Sequence, residues 1–324
     1  MCKIGGKMGK IAYLFPGQGS QIIGMGKDVY ESSKKAKEVF DQACDILNMD
    51  VKKLCFEGPE EALKQTINTQ PCILTTSIAL LEALKEKLSD KDILPTYTAG
   101  HSLGEYAAMY CSNVLDLNSV LKLIKKRSEL MDKAASLTDG AMSAIIGLDS
   151  IKIEEIISEV KDGIVSIANY NSPSQTVITG EKIAVEKANE LLSKAGAKRV
   201  VPLSVSGAFH SMLMKNAAEE FRSFIQDNQF DFKDTNIPIY TNVDATSTDK
   251  GSELKSKCYH QLYSPVKWCD SINNIAKNQV TNFIEIGPGK VLKGLNLKIN
   301  KELNTVNVYD NKTLEETCEW IKNI

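Results

Sequence analysis

Thr98-Ala-Gly-His-Ser-Leu-Gly-Glu-Tyr106 contains Gly100-His101-Ser102-Leu103-Gly104, a match to the G-x-S-x-G pattern of a nucleophile elbow. Upstream, residues 93–99 read as a short strand. Downstream, residues 103–112 carry helix-forming Leu, Glu, Ala and Met. A serine on a tight strand-to-helix turn projects its hydroxyl clear of the backbone, and the flanking glycines let the chain turn without Cβ clashes. The helix that follows aims unpaired N–H groups and its positive end at the same point, where an oxyanion would be stabilised. The pentapeptide alone is weak: with Gly near 7% and Ser similar, roughly one chain in ten of this length carries it by chance. Its weight depends on the rest of the chain.

That chain has 324 residues, 43% hydrophobic and 25% charged, an ordinary globular balance with room for one large domain or two moderate ones. A net charge of −2 implies no global polyanion-binding character, so nucleic acid is not an expected partner. No stretch is apolar enough over sufficient length to span a bilayer, and the apolar run at 11–15 stops at Pro16, unlike a signal peptide. Eight cysteines (Cys2, Cys44, Cys55, Cys72, Cys111, Cys258, Cys269 and Cys318) include no C-x-x-C pair. They give neither zinc spacing nor a disulfide framework, so reduced thiols in a cytoplasmic protein are the expectation. Met8 opens Met-Gly-Lys-Ile-Ala-Tyr-Leu-Phe, and either it or Met1 is the functional start.

Residues 10–15 read as a buried strand closed by Pro16-Gly-Gln-Gly-Ser20, which lacks the third glycine of a dinucleotide fingerprint. Residues 28–47, 70–88 and 114–135 read as helices. From residue 141 the rhythm changes. Strands at 141–147, 164–170, 175–179 and 199–205 alternate with helices at 150–160 and 182–195. This β-α-β-β-α-β order is the ferredoxin-like unit, inserted into a larger α/β domain. The expected division is therefore 8–137 with 206–324, and 138–205. Further on, helices at 210–229, 253–262, 266–277 and 314–321 accompany strands at 237–241, 281–286 and 306–309. Gly289-Lys290 lacks the Ser/Thr and the glycine spacing of a phosphate loop.

A serine hydroxyl is a poor nucleophile until a base takes its proton. Three histidines are available. His101 adjoins Ser102, so its side chain is expected to point away from the hydroxyl. His260 falls in a polar helix. His210 sits at a strand-to-helix junction, in Val205-Ser-Gly-Ala-Phe-His-Ser-Met212, where a side chain can be aimed at a neighbour. Composition leaves His210 open as base or as an ordinary histidine. No acid lies near it in sequence to orient the ring.

Five motifs in register resolve the ambiguity: Phe15-Pro-Gly-Gln-Gly-Ser-Gln21, Gly100-His-Ser-Leu-Gly-Glu-Tyr106, Ala208-Phe-His-Ser211, Gln261-Leu-Tyr-Ser-Pro-Val266 and Glu285-Ile-Gly-Pro-Gly289. Together they resemble the malonyl-CoA:acyl carrier protein transacylase family of bacterial fatty acid synthesis, and the related acyltransferase domains of polyketide synthases. The resemblance runs from Met8 over nearly the whole chain. It implies an α/β-hydrolase-like large domain with an inserted ferredoxin-like small domain, the active site lying in the cleft between them.

By that resemblance Ser102 is the acylated nucleophile and His210 the general base and then acid, its ring held by the main-chain carbonyl of Gln261. The N–H groups of Gln18 and Leu103 form the oxyanion hole. Arg127 binds the malonyl carboxylate, a task suited to a planar guanidinium fork. Phe209 walls the acyl pocket. Read without the resemblance, Ser102 and Gln18 are turn residues, Phe209 is core, and Arg127, in Lys125-Lys-Arg127, belongs to a solvated helix face. Asn169 and Asn171 face the expected cleft, but loop asparagines usually satisfy their own turn.

The implied activity is transfer of malonyl from malonyl-CoA to the phosphopantetheine thiol of acyl carrier protein, with no metal or redox cofactor. Carrier proteins of this pathway are typically acidic. Lys194, Lys198 and Arg199, with Lys122, Lys125 and Lys126, are the candidate docking cations. Alternatives are a free-standing acyltransferase of a polyketide assembly line, an editing acyl hydrolase, and a non-catalytic carrier-binding module. Editing relatives often lack the arginine, and the Ser102/His210 pair counts against a binding module.

Overall fold

Every residue of Ile11-Ala-Tyr-Leu-Phe15 is buried, and the side chains divide between two cores by simple alternation. Ile11, Tyr13 and Phe15 join a cluster with Phe40, Ile73, Ile78 and Tyr106. Ala12 and Leu14 join another with Trp268, Ile272, Phe283 and Leu292. A strand apolar on both sides is what a parallel sheet covered by helices on both faces requires.

The structure is a computed structural model, and residues 10–88, 94–205 and 207–324 are described. Ile93 and the alternative starts, Met1 and Met8, lie outside the described residues. In chain order the strands are β1 (Ile11–Phe15), β2 (Tyr97–Gly100), β3 (Gly140–Ile146), β4 (Val165–Ser172), β5 (Gln175–Glu181), β6 (Arg199–Pro202), β7 (Ile239–Tyr240), β8 (Ser247–Thr248), β9 (Asn282–Ile286) and β10 (Asn304–Val308). They form a six-stranded sheet ordered β10-β9-β1-β2-β7-β8 and a four-stranded sheet ordered β4-β5-β3-β6. The first is parallel apart from the β7–β8 pair; the second is antiparallel throughout. The second sheet, with helices Ser150–Ser158 and Lys182–Lys194, has the ferredoxin-like connectivity.

Helix boundaries follow the capping chemistry. The expected helix over 28–47 is two helices, Lys27–Ser32 and Lys34–Leu47, because Ser33 is extended and its side chain caps Ala36 N. The helix expected from 114 begins at Leu117, where Asp116 Oδ1 accepts from Ser119 N at 2.7 Å. Thr66–Lys87 is buried almost all round, as a helix between two layers must be. Pro71 lies inside it and cannot donate to the Ile67 carbonyl; the Ser128 hydroxyl comes only to 3.5 Å from that oxygen and donates to the Lys125 carbonyl at 2.8 Å.

Two further expectations change. Residues 210–229 are not one helix: a short 3-10 turn, Met212–Met214, precedes helix Lys215–Asp227. Asn169 and Asn171 lie in β4 rather than in a loop, on a stretch interrupted by two register shifts. An isolated parallel bridge joins Asn169 to Val266, which ties the small sheet to the large body beside the serine turn.

Candidate active site

The turn after β2 depends on two glycines for closeness rather than for φ. A Cβ on Gly100 would sit 1.9 Å from the Gly104 carbonyl carbon, and one on Gly104 would sit 2.2 Å from the Phe15 carbonyl oxygen. Helix Gly104–Cys111 can therefore start directly against the ends of β1 and β2. Between the glycines, Ser102 has φ +51°, a left-handed conformation that strains a residue with a Cβ. The Leu103 and Gln18 N–H groups have no main-chain acceptor among the described residues, as expected at a helix start and on a tight loop.

His210 reaches this turn from the segment between β6 and the 3-10 turn Met212–Met214. It too has positive φ, +58°, and its N–H is anchored on the Leu262 carbonyl at 3.1 Å. Its Nε2 lies 2.8 Å from Ser102 Oγ. Its Nδ1 lies 2.9 Å from the Gln261 carbonyl and 3.2 Å from that of Ser264. Two carbonyls can only accept, so Nδ1 carries the proton and Nε2 is left free to take one from the serine. Burial, and then the charge on Arg127, push the pKa of the imidazole down to about 3. The ring is a neutral base.

Arg127 is 1% exposed, so its helix turns it inward while Lys122 stays exposed and Lys125 and Lys126 are half-buried. Its Nη1 donates to Gln70 Oε1, and its Nη2 donates to Ser102 Oγ at 3.0 Å and to Gln261 Oε1 at 3.1 Å. The guanidinium lies 5.7 Å from the Tyr106 ring centroid, and its Nε has no hydrogen-bond partner among the described residues. A buried cation with neutral partners and a spare N–H is prepared for an anion. Burial lowers its pKa, but a guanidinium is basic enough to remain charged.

Ser102, His210 and Arg127 open on a cavity of about 100 Å³ whose wall also includes Gln18, Leu103, Phe209, Met131, Met142, Leu203 and Val205. The space suits a short acyl group. Gln261 lies just behind the wall, joined to it by hydrogen bonds. Of the other histidines, His101 shares the cavity wall but directs its Nε2 to Asn171 Oδ1 at 2.8 Å. His260 packs tilted against the Tyr259 ring and edge-on to that of Tyr263.

Four contributors escape a reading of the sequence alone. Gln70 and Ser264 act on Arg127 and His210 through single hydrogen bonds and have no local signature. Glu105, inside the motif itself, is fully buried: burial drives its pKa up to about 7, against the main-chain N–H of Asn242, which holds it down. Asn242 follows β7, and a polar residue just past the carboxyl end of a parallel strand was the available signal.

Residues 12–309 match the acyl transferase domain family. The chain is 45% identical over 317 residues to malonyl CoA-acyl carrier protein transacylase of Bacillus subtilis, covering 97% of this chain and 98% of that one. The Staphylococcus aureus protein of the same name is 41% identical over 318 residues, 98% and 100% of the two chains. Among solved structures, an acyl carrier protein S-malonyltransferase from Vibrio cholerae superposes with a TM-score of 0.90 at 40% identity, covering 95% and 99%. A malonyl-transacylase in complex with its type II PKS acyl-carrier protein gives 0.91 at 38%, covering 96% and 99%.

Proposed function

The chain belongs to the acyl transferase family, and from that premise we propose that it carries the malonyl group from malonyl-CoA to the phosphopantetheine thiol of an acyl carrier protein, for fatty acid synthesis. The observation that carries the proposal is the Ser102–His210 pair at 2.8 Å with a buried guanidinium 3.0 Å from the same oxygen. A nucleophile, its base and a carboxylate-binding cation converge on one small cavity.

In the first half-reaction Ser102 Oγ attacks the thioester carbonyl while its proton passes to His210 Nε2. The oxyanion is received by the N–H groups of Gln18 and Leu103. Collapse breaks the C–S bond, and His210 returns the proton to the departing CoA sulfur. Malonyl remains as an ester on Ser102, its free carboxylate on Arg127. In the second half-reaction the carrier thiol gives its proton to His210, sulfur attacks the ester, and Ser102 leaves and is reprotonated. His210 can cycle in this way because two carbonyls fix its tautomer without a triad acid.

Residues 138–205 are read as the small domain that closes the cleft, over a catalytic body of 8–137 and 206–324. A cytoplasmic setting goes with the same reading; Cys44, Cys55, Cys72, Cys111, Cys258, Cys269 and Cys318 are free thiols. No helix among the described residues is long and apolar enough to cross a membrane.

Intact mass after mixing with malonyl-CoA tests the assignment. An adduct of malonyl mass is expected, absent in Ser102→Ala and formed roughly two to four orders of magnitude more slowly in His210→Ala. Normal acylation of Ser102→Ala at another residue would overturn it. Transfer rates to fatty-acid and polyketide carriers separate the two pathways. Release of free malonate in place of transfer would mark a hydrolase.

A further inference from the structure

Asn242 commits both polar atoms of its side chain to the nucleophile turn. Its Nδ2 donates to the Gly100 carbonyl at 2.7 Å, and its Oδ1 accepts the N–H of Ser102 at 2.8 Å. One amide thus grips the turn on both sides of His101. Ser102 stands at φ +51°, and a strained conformation persists only where its surroundings over-determine it.

The same amide oxygen also receives Gln261 Nε2 at 3.3 Å. Gln261 Nε2 donates to the Ser102 carbonyl as well, its Oε1 accepts from Arg127, and its main-chain carbonyl holds His210. Asn242 is itself anchored: its N–H donates to Glu105 Oε2 at 2.8 Å and its carbonyl accepts from Lys267 N at 3.0 Å. It is fully buried and lies behind the cavity wall. Nothing in the transfer chemistry requires it to touch the acyl group.

We propose that Asn242 is a positioning residue of the transfer reaction, which holds the strained Ser102 turn in place and locks it in register with Gln261, and so with His210 and Arg127. The proposal rests on the malonyl-transfer reading. It depends on a donor and an acceptor side by side in one planar group. Alanine loses both. An ionised aspartate keeps the acceptor but turns an oxygen on the Gly100 carbonyl. A protonated aspartate restores the donor.

The test follows acyl-enzyme formation in the full chain by rapid quench and intact mass with malonyl-CoA. If the wild-type protein forms no adduct, the transfer reading falls, and this proposal with it. Where it does, Asn242→Ala and Asn242→Asp at about pH 8 and saturating malonyl-CoA are expected to lower the first-order rate constant about 10- to 100-fold, with KM moving less than about threefold. As the pH is lowered, the ratio of Asn242→Asp to wild type should climb toward one, while that of Asn242→Ala stays level. Glu105, Asp244, Lys257, His101, His210 and Arg127, titratable and charged groups around the site, are common to all three proteins, and the level Asn242→Ala ratio is the control for them. If both variants lose only thermal stability, acylate at the wild-type rate constant and show level ratios, Asn242 is structural and the proposal is overturned. Should the alanine variant fail to fold, the pH ratio of the aspartate variant decides alone.

Discussion

Arg127 Nη2 donates to Ser102 Oγ at 3.0 Å, and the same oxygen lies 2.8 Å from His210 Nε2. The Ser102 hydroxyl is therefore held between a cation and a neutral imidazole before any substrate arrives. The base feels that cation too, because the Arg127 charge stands second only to burial among the causes that depress the His210 pKa. On the proposed reading, a malonyl carboxylate paired with Arg127 would offset this charge, weaken its competing hydrogen bond to the hydroxyl and leave the imidazole a stronger base.

The pH dependence of the free enzyme follows from the buried ring. A base works in its neutral form, and His210 keeps that form down to about pH 3 rather than the ordinary 6.5. Fluorophosphonate labelling of Ser102 should show no loss near pH 6.5 that belongs to His210. Glu105, with its pKa near 7, can titrate nearby, and any inflection it causes should vanish in Glu105→Gln. A midpoint at 6.5 surviving in Glu105→Gln would mean an ordinary imidazole. Stability carries the matching signs. The unfolded chain protonates His210 at 6.5 and the folded one only near 3, so its contribution is full above pH 6.5 and is lost as pH falls toward 3. Glu105 is raised from 4.5 to about 7, so its contribution is full below pH 4.5 and is lost as pH rises through 7.

Acyl selectivity should respond to Phe209, which is 5% exposed and lines the cavity beside Met131 and Met142. Phe209→Ser is expected to raise use of methylmalonyl-CoA relative to malonyl-CoA. The effect should be modest, since one methyl contact in a shaped apolar pocket is worth about 1–3 kcal/mol. Competition between the two thioesters measures it, and an unchanged ratio would remove Phe209 from the selectivity.

Lys194, the last residue of helix Lys182–Lys194, and Lys198, on the turn leading to β6, are both exposed. If an acidic carrier docks there, Lys194→Glu with Lys198→Glu should raise KM for carrier protein severalfold and weaken its salt dependence. Acylation by malonyl-CoA, which needs no carrier, should be untouched. Equal loss in both half-reactions would argue against docking at this edge.

How much of this was legible depended on the range of the interaction. The elbow was readable because its chemistry is local: Gly100 and Gly104 sit within a few residues of the serine they serve. The small sheet was readable because alternating apolar residues and two short helices repeat over a compact segment. Arg127 was not readable from its own surroundings. A helix bearing Lys125, Lys126 and Arg127 looks solvated, and only the crossing of Thr66–Lys87 and the elbow helix makes the third position interior. The missed residues, Gln70, Asn242 and Ser264, act across 57, 140 and 54 positions of chain, where no spacing rule reaches. The His210 junction was placed correctly, but its geometry is a left-handed residue before a 3-10 turn, which propensity alone reads as continuous helix.

The sharpest prediction concerns Arg127. Its partners Gln70, Ser102 and Gln261 are all neutral, and its Nε is unpartnered among the described residues. On the proposed reading, malonyl would supply a carboxylate to this buried fork, and acetyl would leave the charge uncompensated. Breaking a buried pair by removing one partner costs about 3–5 kcal/mol. Arg127→Ala should therefore lower kcat/KM for malonyl-CoA by roughly 10²–10⁴. For acetyl-CoA it should fall far less, or rise, because the penalty against the wrong acyl group has gone. Arg127→Lys should recover part of the malonyl rate, since an ammonium on a shorter reach meets the carboxylate as a point charge without the fork. It should also fail to hold both Gln70 and Gln261, so the recovery shows more in KM than in kcat. The measurement is kcat/KM for both thioesters in all three proteins. Equal losses for malonyl and acetyl in Arg127→Ala would make Arg127 a strut for the Ser102 turn and leave carboxylate recognition to another group.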